Sequence, residues 1–331
     1  MMRRIGRFLG RLFLILAVIA GGLYLFGPYE DAELKAEFDP RVFGEGVQVY
    51  FESTESAFDD ITPGTEKRVV WQPGFKEQRT PFSIVYLHGF SASSEEIRPV
   101  PDRVADALGA NLVFARLTGH ARSGAAMAEA TVADWMIDTA EALAAGRAVG
   151  EKVIVISTST GGTLAAAATL DPEMSKDVAG MVFVSPNFEI NNPLAPLLTW
   201  PAARYWLPVL AGADRSFEPA NEMQATFWTT AYPSVATMPL AALVQAVRRL
   251  DFAQTDIPAL FWFSMEDRVV GAGVTAEIAG NWGGPVQVVA PELGEGDDPY
   301  HHVVMGDILS PGQTDVGVEG ILAWVLALGA G

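Results

Sequence analysis

Cysteine is entirely missing from the 331 residues of this chain. Disulfides, thiolate metal sites and thiol nucleophiles are thereby excluded, although that absence identifies no compartment. Histidine is scarce, with four copies, so proton-transfer chemistry has few candidates for its base. Lys and Arg number 22 against 40 Asp and Glu, for a formal net charge of −18. Because Arg3, Arg4, Arg7 and Arg11 crowd the amino end, the remainder is more negative still. Such a surface repels phosphate backbones and argues against nucleic acid as a partner. There is no Gly-x-Gly-x-x-Gly or phosphate-loop motif, and no grouping of His, Asp and Glu has metal-ligand spacing. Neither a cofactor nor a metal is expected. Internal repeats and low-complexity tracts are lacking too.

Hydrophobic residues make up half the chain, enough for a substantial core, and the length suits one catalytic domain with an insertion. Residues 12–26 are wholly uncharged. Extended back to Ile5, a helix here reaches roughly the ~30 Å thickness of a bilayer's hydrocarbon. Arginines precede it, and Glu30, Asp31 and Glu33 follow. That asymmetry sets the amino end in the cytoplasm and the remaining domain outside the membrane. The alternative is a cleaved signal peptide ending at Val18-Ile19-Ala20, with a secreted or periplasmic product. The apolar residues 23–26 continue past that site and favour an anchor. We therefore divide the chain into an anchor or signal segment over 1–29, a polar linker over 30–46 and a catalytic domain over 47–331.

Within that domain, residues 47–51 and 67–71 read as two strands forming an antiparallel edge. Apolar, β-rich runs then alternate with helical patterns: strands at 83–87, 111–117, 153–157, 181–185, 259–264 and 286–289, and helices near 95–108, 131–148 and 316–328. Such alternation implies a mostly parallel sheet covered by helices on both faces. Between about 186 and 256 the alternation breaks, and prolines accumulate with Trp200, Tyr205, Trp206, Phe217, Phe227 and Trp228.

Ser157-Thr158-Ser159-Thr160-Gly161-Gly162 follows the run Val153-Ile154-Val155-Ile156 directly, and an alanine-rich helical segment comes after it. Strand, tight turn and helix in that order strain the backbone of the central serine and lift its hydroxyl clear of the sheet. Strand and helix nearly touch there, so the residues two before and two after must be small; Ser157 and Gly161 satisfy this. A serine hydroxyl needs a base to take its proton and a carboxylate to orient that base. With this architecture the order along the chain is serine, acid, histidine, which selects His301 and His302 over His88 and His120. Asp267, just past the strand at 259–264, stands where catalytic groups gather in open α/β sheets. A helix cap is its plainer reading. Asp297 and Asp298 are competing acids, read here as solvated loop residues.

From about Pro81 onward the chain resembles the α/β-hydrolases, closest to the bacterial esterase, monoacylglycerol lipase and serine aminopeptidase-like branch. The residues carrying the resemblance are His88-Gly89-Phe90 after a strand, Gly119-His120, the turn around Ser159, Asp267 ahead of Val269, and His302-Val303. The resemblance implies an α/β-hydrolase fold in which Ser159 is the nucleophile, His302 the base and Asp267 its orienting acid. It also implies an oxyanion hole made by the backbone N–H groups of Phe90 and Thr160, and a helical lid from the aromatic insertion, lining an apolar acyl pocket. His88 and His120 are expected to be structural. The chain departs from the commoner Gly-His-Ser-x-Gly-Gly turn by Ser157-Thr158, and Ala121 stands where a glycine usually follows Gly-His. The expected activity is hydrolysis of an uncharged, partly apolar ester or lysolipid. A peptidase or amidase on the same residues and a non-catalytic, membrane-tethered binder are the alternatives.

Overall fold

The computed structural model describes residues 2–329. Seven strands form one sheet: β1 (Arg68–Val70), β2 (Thr80–Leu87), β3 (Asn111–Phe114), β4 (Gly150–Thr158), β5 (Val178–Val184), β6 (Ala259–Trp262) and β7 (Val286–Val289). Their order across the sheet is β1-β3-β2-β4-β5-β6-β7, with β1 alone antiparallel to its neighbour. Side chains alternate between faces along each strand. Val85, Leu87 and Val155 enter one core with Trp135 and Leu164, whereas Ile84, Tyr86, Ile154 and Ile156 enter another with Val104, Ile321 and Trp324. Helices α4 (Val132–Val149) and α5 (Thr160–Ala168) cover the first face; α3 (Val100–Leu108) and α7 (Thr314–Leu328) cover the second. The doubly covered, mostly parallel sheet expected from the alternating pattern is present.

Register places the functional loops. Leu87 pairs with Ser157 and Thr158 with Val184. The turns after β2 and β4, which carry His88–Phe90 and Ser159, are therefore neighbours at the carboxyl edge of the sheet. Val184 pairs with Trp262 and Trp262 with Val289, so the loops bearing Asp267 and the two late histidines open on that edge as well.

Residues 47–51 are not a strand. They begin helix α2 (Val47–Glu55), in which Val47, Phe51 and Glu55 are buried and Val49 is 48% exposed. A strand would bury residues 47, 49 and 51 together; burial at every fourth residue is helical. The Val-Gln-Val-Tyr-Phe window is too short to separate the two periods, and its β-branched and aromatic residues favour the wrong one. The edge strand expected over 67–71 is present as β1 and pairs with β3.

The segment expected as a polar linker is also more ordered than its composition suggests. Ala32, Leu34, Ala36 and Phe38 pack against the core, while the intervening Asp31, Glu33, Lys35 and Glu37 face solvent. The strap alternates with period two, and its charges conceal an apolar face. Phe38 closes it in an aromatic cluster with Phe43 and Tyr50.

Helix α1 (Met2–Phe26) precedes the strap, and its candidate span Ile5–Phe26 is unburied along its length. These 22 residues rise about 33 Å. Its exit touches the insertion: Ala202 donates its N–H to Pro28 O at 2.7 Å, and Arg204 pairs with Glu30. The insertion itself has two parts. Residues 186–236 hold short helices and a small hairpin, Asp214–Ser216 with Ala231–Pro233. Helix α6 (Thr237–Val247) belongs to the body, since Met238, Leu243 and Val247 are buried and the last two enter the first core. The expected aromatic pocket is largely internal packing: Trp228, Phe217 and Phe227 join the second core, and Trp200 packs on Trp206.

Candidate active site

The turn between β4 and α5 has the shape that its small residues require. Ser159 sits at φ 51°, ψ −115°, a left-handed backbone that a non-glycine residue adopts only where its surroundings hold it. A methyl group on Gly161 would lie 2.2 Å from Leu87 O, and one on Gly162 would lie 2.8 Å from Pro186 Cβ. Strand, turn and helix are thus in contact, with no room for side chains. The Ser157 hydroxyl fits by donating to Val182 O at 3.0 Å.

His302 and Asp267 are brought together. His302 Nδ1 lies 2.8 Å from Asp267 Oδ2, and both side chains are almost wholly enclosed. The other carboxylate oxygen accepts the N–H groups of Val269 at 2.8 Å and Val270 at 2.9 Å. Asp267 is therefore held from behind and aimed at the imidazole; the next helix starts later, at Ala272, and takes no cap from it. His301 points elsewhere, with Nδ1 3.5 Å from Ser264 Oγ and 3.6 Å from Glu266 Oε2. Ser159 Oγ makes no hydrogen bond among the described residues, so the serine-to-histidine link is not closed. Nucleophile–base hydrogen bonds often tighten only when substrate binds.

Asp298 corrects an expectation. It is buried rather than solvated, and its carboxylate accepts the N–H groups of Tyr300, His302 and Val303 at 2.9–3.0 Å. Three amides converge on one carboxylate because the loop turns tightly around it, which fixes where His302 emerges. Asp297 instead bonds Gly294 and Gly312 in the same loop.

Across the site, His88 accepts the Leu117 N–H on Nε2 at 3.1 Å and faces Gly89 O with Nδ1 at 2.8 Å. With one ring nitrogen accepting, the other donates, so the ring is neutral. Its pKa is lowered to about 3 by burial and by His120 beside it. His120, packed against Phe90 and Trp135, is lowered to about 4, again by burial. Neither is available as a base at neutral pH. The N–H groups of Phe90 and Thr160 meet no protein acceptor among the described residues; a helix's first amides have no partner within the helix. From the insertion, Tyr232 packs edge-on against Phe90 with ring centres 5.4 Å apart, and Thr229 N–H bonds Ser91 O at 2.7 Å.

A family model described as the alpha/beta hydrolase family matches residues 84–310. The chain belongs to that family. Among solved structures, the hydrolase resembles one from work on LipS and LipT, two metagenome-derived lipolytic enzymes, at 19% identity and a TM-score of 0.63, covering 81% of this chain and 99% of that one. It resembles the monoacylglycerol lipase of Paleococcus ferrophilus at 15% identity and a TM-score of 0.55, covering 80% and 99%. A soluble variant of monoglyceride lipase from Saccharomyces cerevisiae, bound to a substrate analogue, matches at 10% identity and a TM-score of 0.56, covering 80% and 91%. Identities this low establish a shared fold. A search of curated proteins finds no match.

The electrostatics of the candidate site are those of an enclosed acid–base cluster. Burial opposes charge on His302, yet the Asp267 carboxylate and its hydrogen bond outweigh this and raise its pKa above the ordinary histidine value. Glu96 and Asp298 push in the same direction. Glu96 is the group that sequence reasoning missed. A carboxylate in Ser93-Ser94-Glu95-Glu96 reads as solvated, but this one is buried, accepts Gly89 N–H at 2.7 Å, and has its pKa raised to about 7 by burial. The only local hint is that Ile97 follows it. A cavity of about 650 Å³ opens apart from this cluster, between Asn191, Pro196, Thr199, Val244 and Arg248. None of the groups described above lines it.

Proposed function

We propose that the protein is a membrane-attached serine hydrolase of carboxylic esters, acting on apolar acyl or lysolipid-type substrates. The observation that carries this reading is the buried pair of His302 and Asp267 at 2.8 Å, on the same sheet edge as a serine held at positive φ. Ser159 Oγ attacks the ester carbonyl while His302 Nε2 takes its proton. Asp267 keeps the imidazole in the tautomer that presents Nε2 and stabilises the imidazolium. Negative charge gathers on the carbonyl oxygen, which the Phe90 and Thr160 N–H groups receive at the start of α5, where the helix dipole adds a favourable field. His302 returns the proton to the leaving alcohol, and water releases the acyl group by the same route.

The lipid character of the substrate rests on where the insertion lies. Val209 and Leu210 are 82% and 77% exposed, and Leu194, Trp200 and Tyr205 are exposed with them. They belong to the segment whose Ala202 and Arg204 hold the anchor's exit. Apolar side chains at that level meet the bilayer interface when α1 spans it with its arginine-rich end in the cytoplasm. The cytoplasmic amino end and the catalytic domain outside the membrane are part of this proposal.

A fluorophosphonate probe tests the nucleophile. Wild type is expected to be modified on the peptide containing Ser159, and Ser159→Ala to be neither labelled nor active on nitrophenyl esters. Labelling of another serine, or an unlabelled wild type, refutes the assignment. Faster turnover of aminoacyl amides than of esters would retain the nucleophile and overturn the substrate class.

A further inference from the structure

Glu96 is a buried acid that the reaction as described does not use. Its Oε2 accepts two hydrogen bonds, from Gly89 N–H at 2.7 Å and from the Tyr86 hydroxyl at 3.1 Å. That same hydroxyl lies 3.1 Å from Thr158 Oγ1, the residue immediately before Ser159. Its Oε1 makes no hydrogen bond among the described residues and lies against Gly89. A methyl group on Gly89 would meet Glu96 Oε1 at 2.7 Å and Ser159 Cβ at 3.1 Å, so carboxyl and serine flank one glycine.

We propose that Glu96 is a positioning residue of the hydrolytic site, whose carboxyl aims the Gly89–Phe90 peptide at the reacting oxygen. This inference rests on the reading of Ser159 and His302 as nucleophile and base.

The geometry of a trans peptide carries the proposal. In a planar trans unit the C=O and N–H point in opposite directions. The Gly89–Phe90 unit presents its oxygen to His88 Nδ1 at 2.8 Å, which turns the Phe90 N–H the other way. Glu96 grips the amide at the opposite end of Gly89. With both ends of the residue held, the orientation of the Phe90 donor has little freedom left. Gly89 is itself required, because the space a side chain would need is already filled by the carboxyl and the serine. The chain Gly89–Glu96–Tyr86–Thr158 also connects the loop to the serine turn, so donor and nucleophile are placed relative to each other. It supplies a reason for threonine at position 158, where the family commonly has histidine.

The test uses the full-length protein in detergent, with kcat and KM for a short-chain nitrophenyl ester normalised to sites titrated by fluorophosphonate. Glu96→Ala is expected to lower kcat about 10-fold or more with KM little changed, as a misaimed oxyanion donor does. Glu96→Gln keeps an acceptor for Gly89 and should restore most of that loss. A merely structural Glu96 would change the melting temperature and the titrated fraction while leaving normalised kcat in place; that result overturns the proposal. Should Glu96→Ala not fold, Glu96→Asp, whose shorter side chain withdraws the acceptor from Gly89, is expected to show the same loss of kcat, and an unchanged kcat there overturns it alone. A wild type without activity or label at Ser159 would instead sink the hydrolase reading beneath it.

Discussion

At the scale of single residues, adjacent histidines have different fates. His302 enters the enclosed cluster because Asp298 collects the amides on either side of it, whereas His301 adopts φ 56° and stays partly exposed beside Glu266. His302→Ala is expected to lower kcat for ester hydrolysis about 10³-fold or more, the usual loss when a triad base is removed. His301→Ala should keep most of it. A steady-state comparison of the two variants checks this, and the reverse ranking would exchange their roles. The candidate site was legible where a turn of small residues follows a strand, as at Ser159, where an acid stands just past a strand end, as at Asp267, and where the scarce histidines fall late in the chain. Glu96 and Asp298 were not legible, because an acid in a polar stretch looks the same whether it faces water or three amides. Only the folded path of the loop decides.

Elements show where sequence patterns mislead. Strands β2, β4, β5 and β6 were legible because a strand buried on both faces is a continuous apolar run. Helix α2 was not, since its five leading residues satisfy either period. Its last residue shows why the helical form is favoured. Glu55 carries a buried carboxylate held by Arg116 through two hydrogen bonds, at 2.6 and 2.7 Å, and Arg116 also reaches His120 O. As a strand, the segment would carry Glu55 away from that arginine. Glu55→Ala leaves the guanidinium buried and unpaired, and should cost about 3–5 kcal/mol. Thermal unfolding of the variant checks this; a loss well under 1 kcal/mol would mean that water reaches Arg116. The strap over residues 30–38 was misread for the converse reason. Its charged residues dominate composition, while only every second residue touches the core.

For the whole molecule, buried ionisable groups set how stability varies with pH. His88 and His120 bind a proton near pH 6.5 when unfolded but only near about 3 and about 4 in the fold. The unfolded chain then holds more protons between those values, so both histidines make stability rise with pH up to about 6.5. Glu96 acts oppositely. Its pKa moves from 4.5 to about 7, so the folded state holds the extra proton and stability falls across that window. His302, raised above 6.5, withdraws its contribution as pH climbs through its folded value. Two rising terms against one falling term give a net gain between about pH 4.5 and 6.5, and the last two groups give a decline just above it. Melting temperatures recorded from pH 4 to 9 should therefore peak close to pH 6.5, and Glu96→Gln should flatten the decline. A curve still climbing steeply from pH 7 to 9 would contradict this balance.

The clasp between the helix exit and the insertion, Pro28 O with Ala202 N–H and Glu30 with Arg204, bears on how the domain moves. A globule on a slack tether tumbles and shows every side to its surroundings in turn. Here the first residues beyond the helix are stitched along the body, so rotation about the leash is restricted. With α1 planted in a bilayer, as proposed, one flank would stay turned toward that plane. Encounters with the proposed ester substrates would then depend on their lateral diffusion within that leaflet rather than on their concentration in the surrounding water.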